Sequence, residues 1–263
     1  MPASAAPNRL ESPGLRRVAW AVTALLVLAE IGYVAYVLLH FGEARGSLAA
    51  DYQFYVDHAR RWLQTGQFYL PYQLTGPYTI QQGVEVLYPP TALLLFVPFV
   101  VLPAVLWWAI PVGLTAVALV RLRPIALVWP VMAFCLIPMT EQYWAGNTGI
   151  WLVAALMCGG VWGWPSVVFL LKPTLGPFAL LGIWRRSWWI ALGVLVAISL
   201  PFGAMWLDYA TVSMNSAGDL ASDVHYSLYE IPAFLFCVTA WVGSPSGPFL
   251  RAERAMPRFA RGA

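Results

Sequence analysis

Lysine is nearly missing from this chain. Lys172 is its one lysine in 263 residues, and the other 14 basic residues are arginines. Charge of either sign is scarce: Asp, Glu, Lys and Arg make up 10% of the chain, hydrophobic residues 60%, and the mean hydropathy is +0.68. A soluble domain of this size needs a polar surface, and this composition does not provide one. Cysteine and histidine number three each. Cys135, Cys158 and Cys237 lie in apolar stretches with no CxxC among them, so they read as small buried hydrophobes rather than disulfide partners or metal ligands. His40, His58 and His225 are far apart, and no His-Glu-x-x-His or Asp-x-Asp occurs, so no metal centre is expected. No nucleophile elbow for a serine hydrolase occurs either. A net charge of +3 gives no reason to expect a nucleic-acid partner. Internal repeats and low-complexity tracts are likewise absent.

What is present is a series of apolar runs. After a polar tail at 1–17, runs at 18–39, 88–120, 124–139, 148–162, 165–184, 187–207 and 231–242 are separated by shorter breaks. Pro98 and Pro103 divide 88–120 into two short helices turning near Leu102 and Pro103. A crossing helix takes about 20 residues, so about eight hydrophobic segments predict an all-α, polytopic membrane bundle with one membrane domain over 18–248. The first run follows Arg16 and Arg17 and lacks a small-residue cleavage site, so it reads as a retained span. The arginines cluster at Arg16 and Arg17, at Arg185 and Arg186, and in the basic tail 249–263 at Arg251, Arg254, Arg258 and Arg261. By the positive-inside rule these clusters are cytoplasmic, which makes the polar segments 41–87 and 208–230 external loops. Arg121 and Arg123 fall outside in this scheme: either one short segment is re-entrant, or the two face lipid phosphates. Arginine in place of lysine, with abundant alanine, fits a GC-rich bacterial genome and a location in the cell membrane.

The first external segment carries a second kind of signal. Tyr52, Tyr55, Val56, Ala59, Trp62 and Leu63 recur at three- and four-residue spacing, and Gly66 ends the pattern. The spacing predicts an interfacial amphipathic helix with its aromatics at headgroup depth. Asp57 stands four residues before Arg61, the spacing of a helical ion pair worth about 0.2–0.5 kcal/mol. Asp51 has no basic residue within four positions. It is either a helix N-cap or a functional carboxylate sharing one helix face with Tyr55, His58 and Trp62.

In order along the chain come "DYQFYVDHARRWLQTGQFY", "LYPPTALLLFVPFVVLP", "GNTGIWLVAAL" and "FLLKP". This series, over roughly 51–184, resembles glycosyltransferase family 87, membrane mannosyltransferases of the GT-C structural class that use a polyprenyl-phosphate sugar as donor. The resemblance implies a GT-C-like bundle, no cofactor, a glycolipid or glycan acceptor, and transfer of a sugar, mannose in this family, at the outer membrane face. It implies that Asp51 is the general base that takes a proton from the acceptor hydroxyl. Tyr88, Pro89 and Pro90 match the family's Tyr-Pro-Pro, where the loop re-enters the membrane, and Gly146-Asn147 stands where the family has Gly-Gln or Gly-Asn. The family is longer and carries further spans after the second external loop, so the resemblance also implies a C-terminally short chain or a partner chain supplying those spans.

A lysine centred in a span costs about 2.5–3.5 kcal/mol on insertion scales. Lys172 therefore either pairs with Glu30, the other ionisable residue deep in a span, or faces a hydrophilic cavity and meets the donor phosphate. His225, in the second external segment, is a candidate donor to the same phosphate. Glu141 and Asn147 read as capping and interface residues. Two other classes remain: a transporter, which calls for inverted repeats, and a non-catalytic membrane subunit that binds lipid.

Overall fold

The computed structural model describes residues 12–40, 47–81, 83–220, 231–245 and 247. Helix occupies 79% of the described chain, and no strand occurs among these residues. Helix α1 spans Pro13–His40, α2 Ala50–Thr65, α3 Val105–Leu122, α4 Trp129–Leu136, α5 Thr140–Ala145, α6 Gly149–Trp162, α7 Arg186–Ser199, α8 Met205–Leu220 and α9 Ile231–Val242. Among the described residues, only α1 and α3 are long and apolar enough to cross a membrane alone, and a third candidate arises if α7 and α8, bent by 91°, count as one span. Further apolar helices, Pro90–Val100, Gly149–Trp162 and Ile231–Val242, are shorter than a lone crossing, so the helices bear out an all-α chain with candidate membrane spans and do not by themselves give the expected eight.

Proline and glycine chemistry explains the differences. The run at 165–184 is no single crossing. Trp164–Leu171 and Pro173–Gly182 are two 3-10 arms folded back on one another. Ser166 Oγ donates to the carbonyls of Gly163 (2.8 Å) and Ala179 (2.9 Å). A Cβ on Gly182 would lie 2.3 Å from Gly163 O, so only glycine permits this approach. Lys172 sits at the hairpin tip with φ −131° and ψ 89°, where Pro173 removes the next backbone donor. It is therefore not centred in a span. At about 2.0 Å per residue, the first arm reaches roughly 16 Å, about half of a bilayer's ~30 Å hydrocarbon core.

Helix α7 stops at Leu200–Phe202, and at Gly203 (φ 28°) the chain turns into α8. The start of the expected polar segment 208–230 is thus helical, and 221–230 lies outside the described residues. Helix α8 lies over the first polar segment: Asn215 Nδ2 donates to Gln73 O at 2.8 Å, and Tyr209 stacks on Tyr69. The two polar segments read from the sequence therefore meet in space.

The contacts define two ends. At one, Asp51, Trp144, Asn147 and Tyr88 converge. At the other, Ile125 N–H donates to Gly243 O and Arg185 to Val161 O, while Leu122, Leu181 and Trp241 line one cavity. Segment Pro90–Val100 keeps to the first end, because Tyr52 Oη donates to Phe99 O and Phe99 packs on Trp107 and Trp151. Leu122, and with it Arg121 and Arg123, falls at the same end as Arg185.

Two cores divide the molecule along these lines. One, rich in aromatics, joins α2 to Phe96, Phe99 and Trp107. The other packs α6 and α9 around Met157, Phe169, Phe236 and the three free cysteines. Helix α1 is largely exposed, with its Glu30 carboxylate accepting from Thr140 Oγ1.

Candidate functional site

Asp51 owes its position to the turn before it. Ala49 adopts φ 62°, ψ 16°, a left-handed conformation unusual for a residue with a Cβ, and its N–H donates to Trp144 O at 2.8 Å. The helix cap falls on Ala49 with no side-chain cap bond, which leaves Asp51 in the first turn rather than at the cap. Its carboxylate is half-buried, and Oδ2 accepts from Asn147 Nδ2 at 2.7 Å. Asn147 is held in turn: its Oδ1 accepts from Gly149 N–H (2.9 Å), and its own N–H donates to Gln142 O (2.9 Å). The preceding Gly146 is at φ 75°, and a Cβ there would meet Trp108 at 2.8 Å and Tyr52 at 2.9 Å. Glycine is thus required at 146 both by backbone conformation and by space.

A chain of hydroxyls runs alongside. Tyr55 Oη lies 3.3 Å from Tyr88 Oη, which lies 2.7 Å from Thr148 Oγ1. Tyr55 stacks on Phe96 with ring centroids 4.7 Å apart and is 3% exposed. Tyr52 and Tyr55 of α2 therefore fill a protein core. Tyr69 Oη donates to Tyr88 O at 2.8 Å and fixes the Tyr-Pro-Pro turn. Tyr88, Thr148, Trp151 and Lys172 share a small cavity of about 20 Å³, enough for about one water molecule. Trp151 Nε1 is buried with no hydrogen-bond partner.

The electrostatics tie Lys172 to Asp51. Burial pushes the Asp51 carboxyl above its ordinary value; the Asn147 hydrogen bond and the Lys172 charge pull it back in part. The alternative reading of Lys172 placed it on Glu30; its charge acts on Asp51, and the Glu30 carboxylate accepts from Thr140 Oγ1.

His58 shares the α2 face with Asp51 and Tyr55 but joins a different neighbourhood. Its Nε2 donates to Val84 O at 3.1 Å, and its ring meets Phe54 at 4.5 Å. Burial, with the nearby Arg61 charge, lowers its pKa to about 4, which keeps the ring neutral near pH 7. The expected Asp57–Arg61 pair is replaced. Arg60 takes Asp57 at 2.6 Å, while Arg61 donates to the carbonyls of Gln67 and Phe68. The left-handed Gly66 turns those carbonyls back onto the helix end. His225 lies outside the described residues.

Asn147, Thr148 and Trp151 are the site residues that sequence reasoning missed or set aside as capping. The signal was there in "GNTG": a glycine forced into the left-handed region, followed by two side chains short enough to bond backward. Beside the site, a groove of about 440 Å³ runs between the first 3-10 arm and α7. Val168 and Leu171 line both this groove and the small cavity at Lys172. Among the described residues, no group of three or more His, Cys, Asp or Glu is placed to hold a metal ion. No family model, no curated protein and no solved structure matches this chain.

Proposed function

We propose that this chain is a membrane glycosyltransferase that moves a sugar, mannose by the family resemblance, from a polyprenyl-phosphate donor to an acceptor hydroxyl. One observation carries the reading: a half-buried carboxylate, Asp51, is fixed by Asn147 and feels the charge of the chain's one lysine. In this scheme the acceptor oxygen attacks the anomeric carbon and forms the new C–O bond. The bond from that carbon to the phosphate oxygen breaks, and its electron pair leaves with polyprenyl phosphate. Asp51 takes the acceptor proton, and a carboxyl raised by burial is a better base than an exposed one. Lys172 stands against the departing phosphate as a compact positive charge. Tyr88 and Thr148 supply hydroxyls to the same space, and the 440 Å³ apolar groove gives the donor chain a path along Val168 and Leu171. On this reading the chain is a multi-pass protein of a bacterial cell membrane, with the arginine end cytoplasmic and the Asp51 end external. Helices shorter than a full crossing serve in it because they pack against one another.

The test is release of labelled sugar from polyprenyl-phosphate mannose by the purified full chain, followed with and without a mannolipid acceptor. Label appearing in the acceptor with stoichiometric polyprenyl phosphate supports transfer. Saturable donor binding with no turnover supports instead a lipid-binding subunit without catalysis.

A further inference from the structure

The end of the molecule remote from Asp51 contains a separate open cleft of about 210 Å³, bordered by α3, α6, the second 3-10 arm and α9. Leu122, Met157, Gly160, Cys237 and Trp241 wall it, and Arg185 lines it too. Residue 160 borders open space: a Cβ built there meets nothing within 4 Å. Arg185 is exposed yet anchored. Its Nη1 donates to Val161 O at 2.8 Å, and its stem packs so closely on Gly163 that a Cβ there would lie 2.4 Å from Arg185 Cδ. Holding the guanidinium in one place lowers the entropy lost when it binds an anion.

Charge and depth both point to a lipid. Arg121 and Arg123 flank the cavity residue Leu122, and Arg186 follows Arg185, whereas α3, α6, α7, α9 and both 3-10 arms contain no Asp or Glu. Exposed indoles band this end: Trp164 (50%), Trp184 (94%), Trp189 (56%) and Trp241 (43%). Tryptophan concentrates at the boundary between hydrocarbon and water, so the mouth of the cavity sits at headgroup depth with its apolar interior below. Basic pockets between membrane helices select anionic headgroups.

We propose that this cavity binds one acyl chain of an anionic glycerophospholipid, with the lipid phosphate on Arg185 and the field of Arg121, Arg123 and Arg186 around it. A zwitterionic lipid brings an ammonium toward the same arginines and loses the preference. Inorganic phosphate has no chain to fill the apolar space. The site is independent of the transferase reading, since none of its lining residues lines the cavity at Lys172.

The delipidated full chain in detergent is titrated with dioleoyl-phosphatidylglycerol, dioleoyl-phosphatidylcholine or sodium phosphate, and bound lipid is counted by native mass spectrometry alongside the melting temperature. One phosphatidylglycerol is expected to be retained and to raise melting, with phosphatidylcholine at least about fivefold weaker, the factor for about 1 kcal/mol from one basic residue at an anionic headgroup. Gly160→Leu fills the cavity and is expected to abolish retention while the protein stays monodisperse. Val238→Phe, entering from the α9 wall, is the second variant if the first does not fold. Arg185→Gln is expected to erase the preference for phosphatidylglycerol, Arg185→Lys to keep most of it, and Arg60→Gln, at the other end, to change nothing. Equal retention of both lipids, unchanged retention in the filled-cavity variants, or binding of inorganic phosphate as tight as that of the lipid would overturn the proposal.

Discussion

Replacing Asp51 by Asn is the sharpest test of the site, because the structure separates its chemical from its structural consequence. The amide oxygen that Asp51→Asn introduces can still accept the Asn147 Nδ2 hydrogen bond, so the turn after α5 and the start of α6 keep their link to α2. Two electrostatic effects on stability then oppose each other. Removing a negative charge from the first turn of α2 forfeits a favourable dipole interaction of about 0.3–1 kcal/mol. Removing a carboxylate that burial disfavours acts in the opposite direction. The net change in unfolding free energy is expected to stay within about 1 kcal/mol, a small shift in melting temperature for a chain of this size. Basicity, by contrast, is lost outright, and general-base catalysis is worth about 10²–10⁴ in rate. The assay is initial-rate sugar transfer from polyprenyl-phosphate mannose, with melting followed by intrinsic fluorescence on the same preparations. Transfer should fall by two to four orders of magnitude, about 10²–10⁴, with melting nearly unchanged. A variant that transfers at the native rate refutes the general-base assignment; one that melts far lower with a proportionate loss shows that Asp51 is structural.

Three further outcomes follow from the same geometry. Lys172→Met removes the positive charge that lowers the Asp51 pKa, so the acid limb of the pH–rate profile should move to higher pH; no movement would place the lysine away from the carboxylate. His58 has its pKa lowered from 6.5 to about 4 in the fold, so its contribution to stability is complete above pH 6.5 and is lost as pH falls toward 4; His58→Phe should flatten the fall in melting temperature over that window, read by thermal scans in matched buffers. Ala49→Gly relieves a left-handed alanine at φ 62° and should raise stability by about 1 kcal/mol, seen as a higher melting temperature with transfer intact.

The α2 helix was legible because its pattern and its stop signal agree: apolar spacing runs to Gly66, and the helix ends there with Gly66 N–H on Trp62 O at 2.8 Å. Asp51 could be singled out by what it lacks, a basic neighbour, although its place just past a strained alanine was invisible, since nothing in the sequence announces Ala49 at positive φ. Hydropathy misread 165–184 as one crossing, because apolar count does not register direction. The reversal lies in Lys172-Pro173 and in the Gly163–Gly182 approach, a long-range contact that no window averages. Likewise, nothing in the sequence shows that Leu122, between Arg121 and Arg123, shares a cavity with Arg185. Asn147 was read as a cap because its partner lies 96 residues earlier.

The separation between the halves of the site bears on how the protein is made. Asp51 leaves the ribosome well before Asn147, 96 residues on, and Lys172 comes later still, at the tip of a hairpin that exists only when both of its arms have been synthesised. At about 5–20 residues per second, the carboxylate waits roughly 5–20 s for its first hydrogen-bond partner. During that interval α2 has neither the Trp144 carbonyl that holds Ala49 nor the charge that favours an ionised Asp51. Nascent chains arrested before the hairpin closes therefore carry the carboxylate without its site, and protease sensitivity of α2 should persist until Pro173–Gly182 has folded back on Trp164–Leu171.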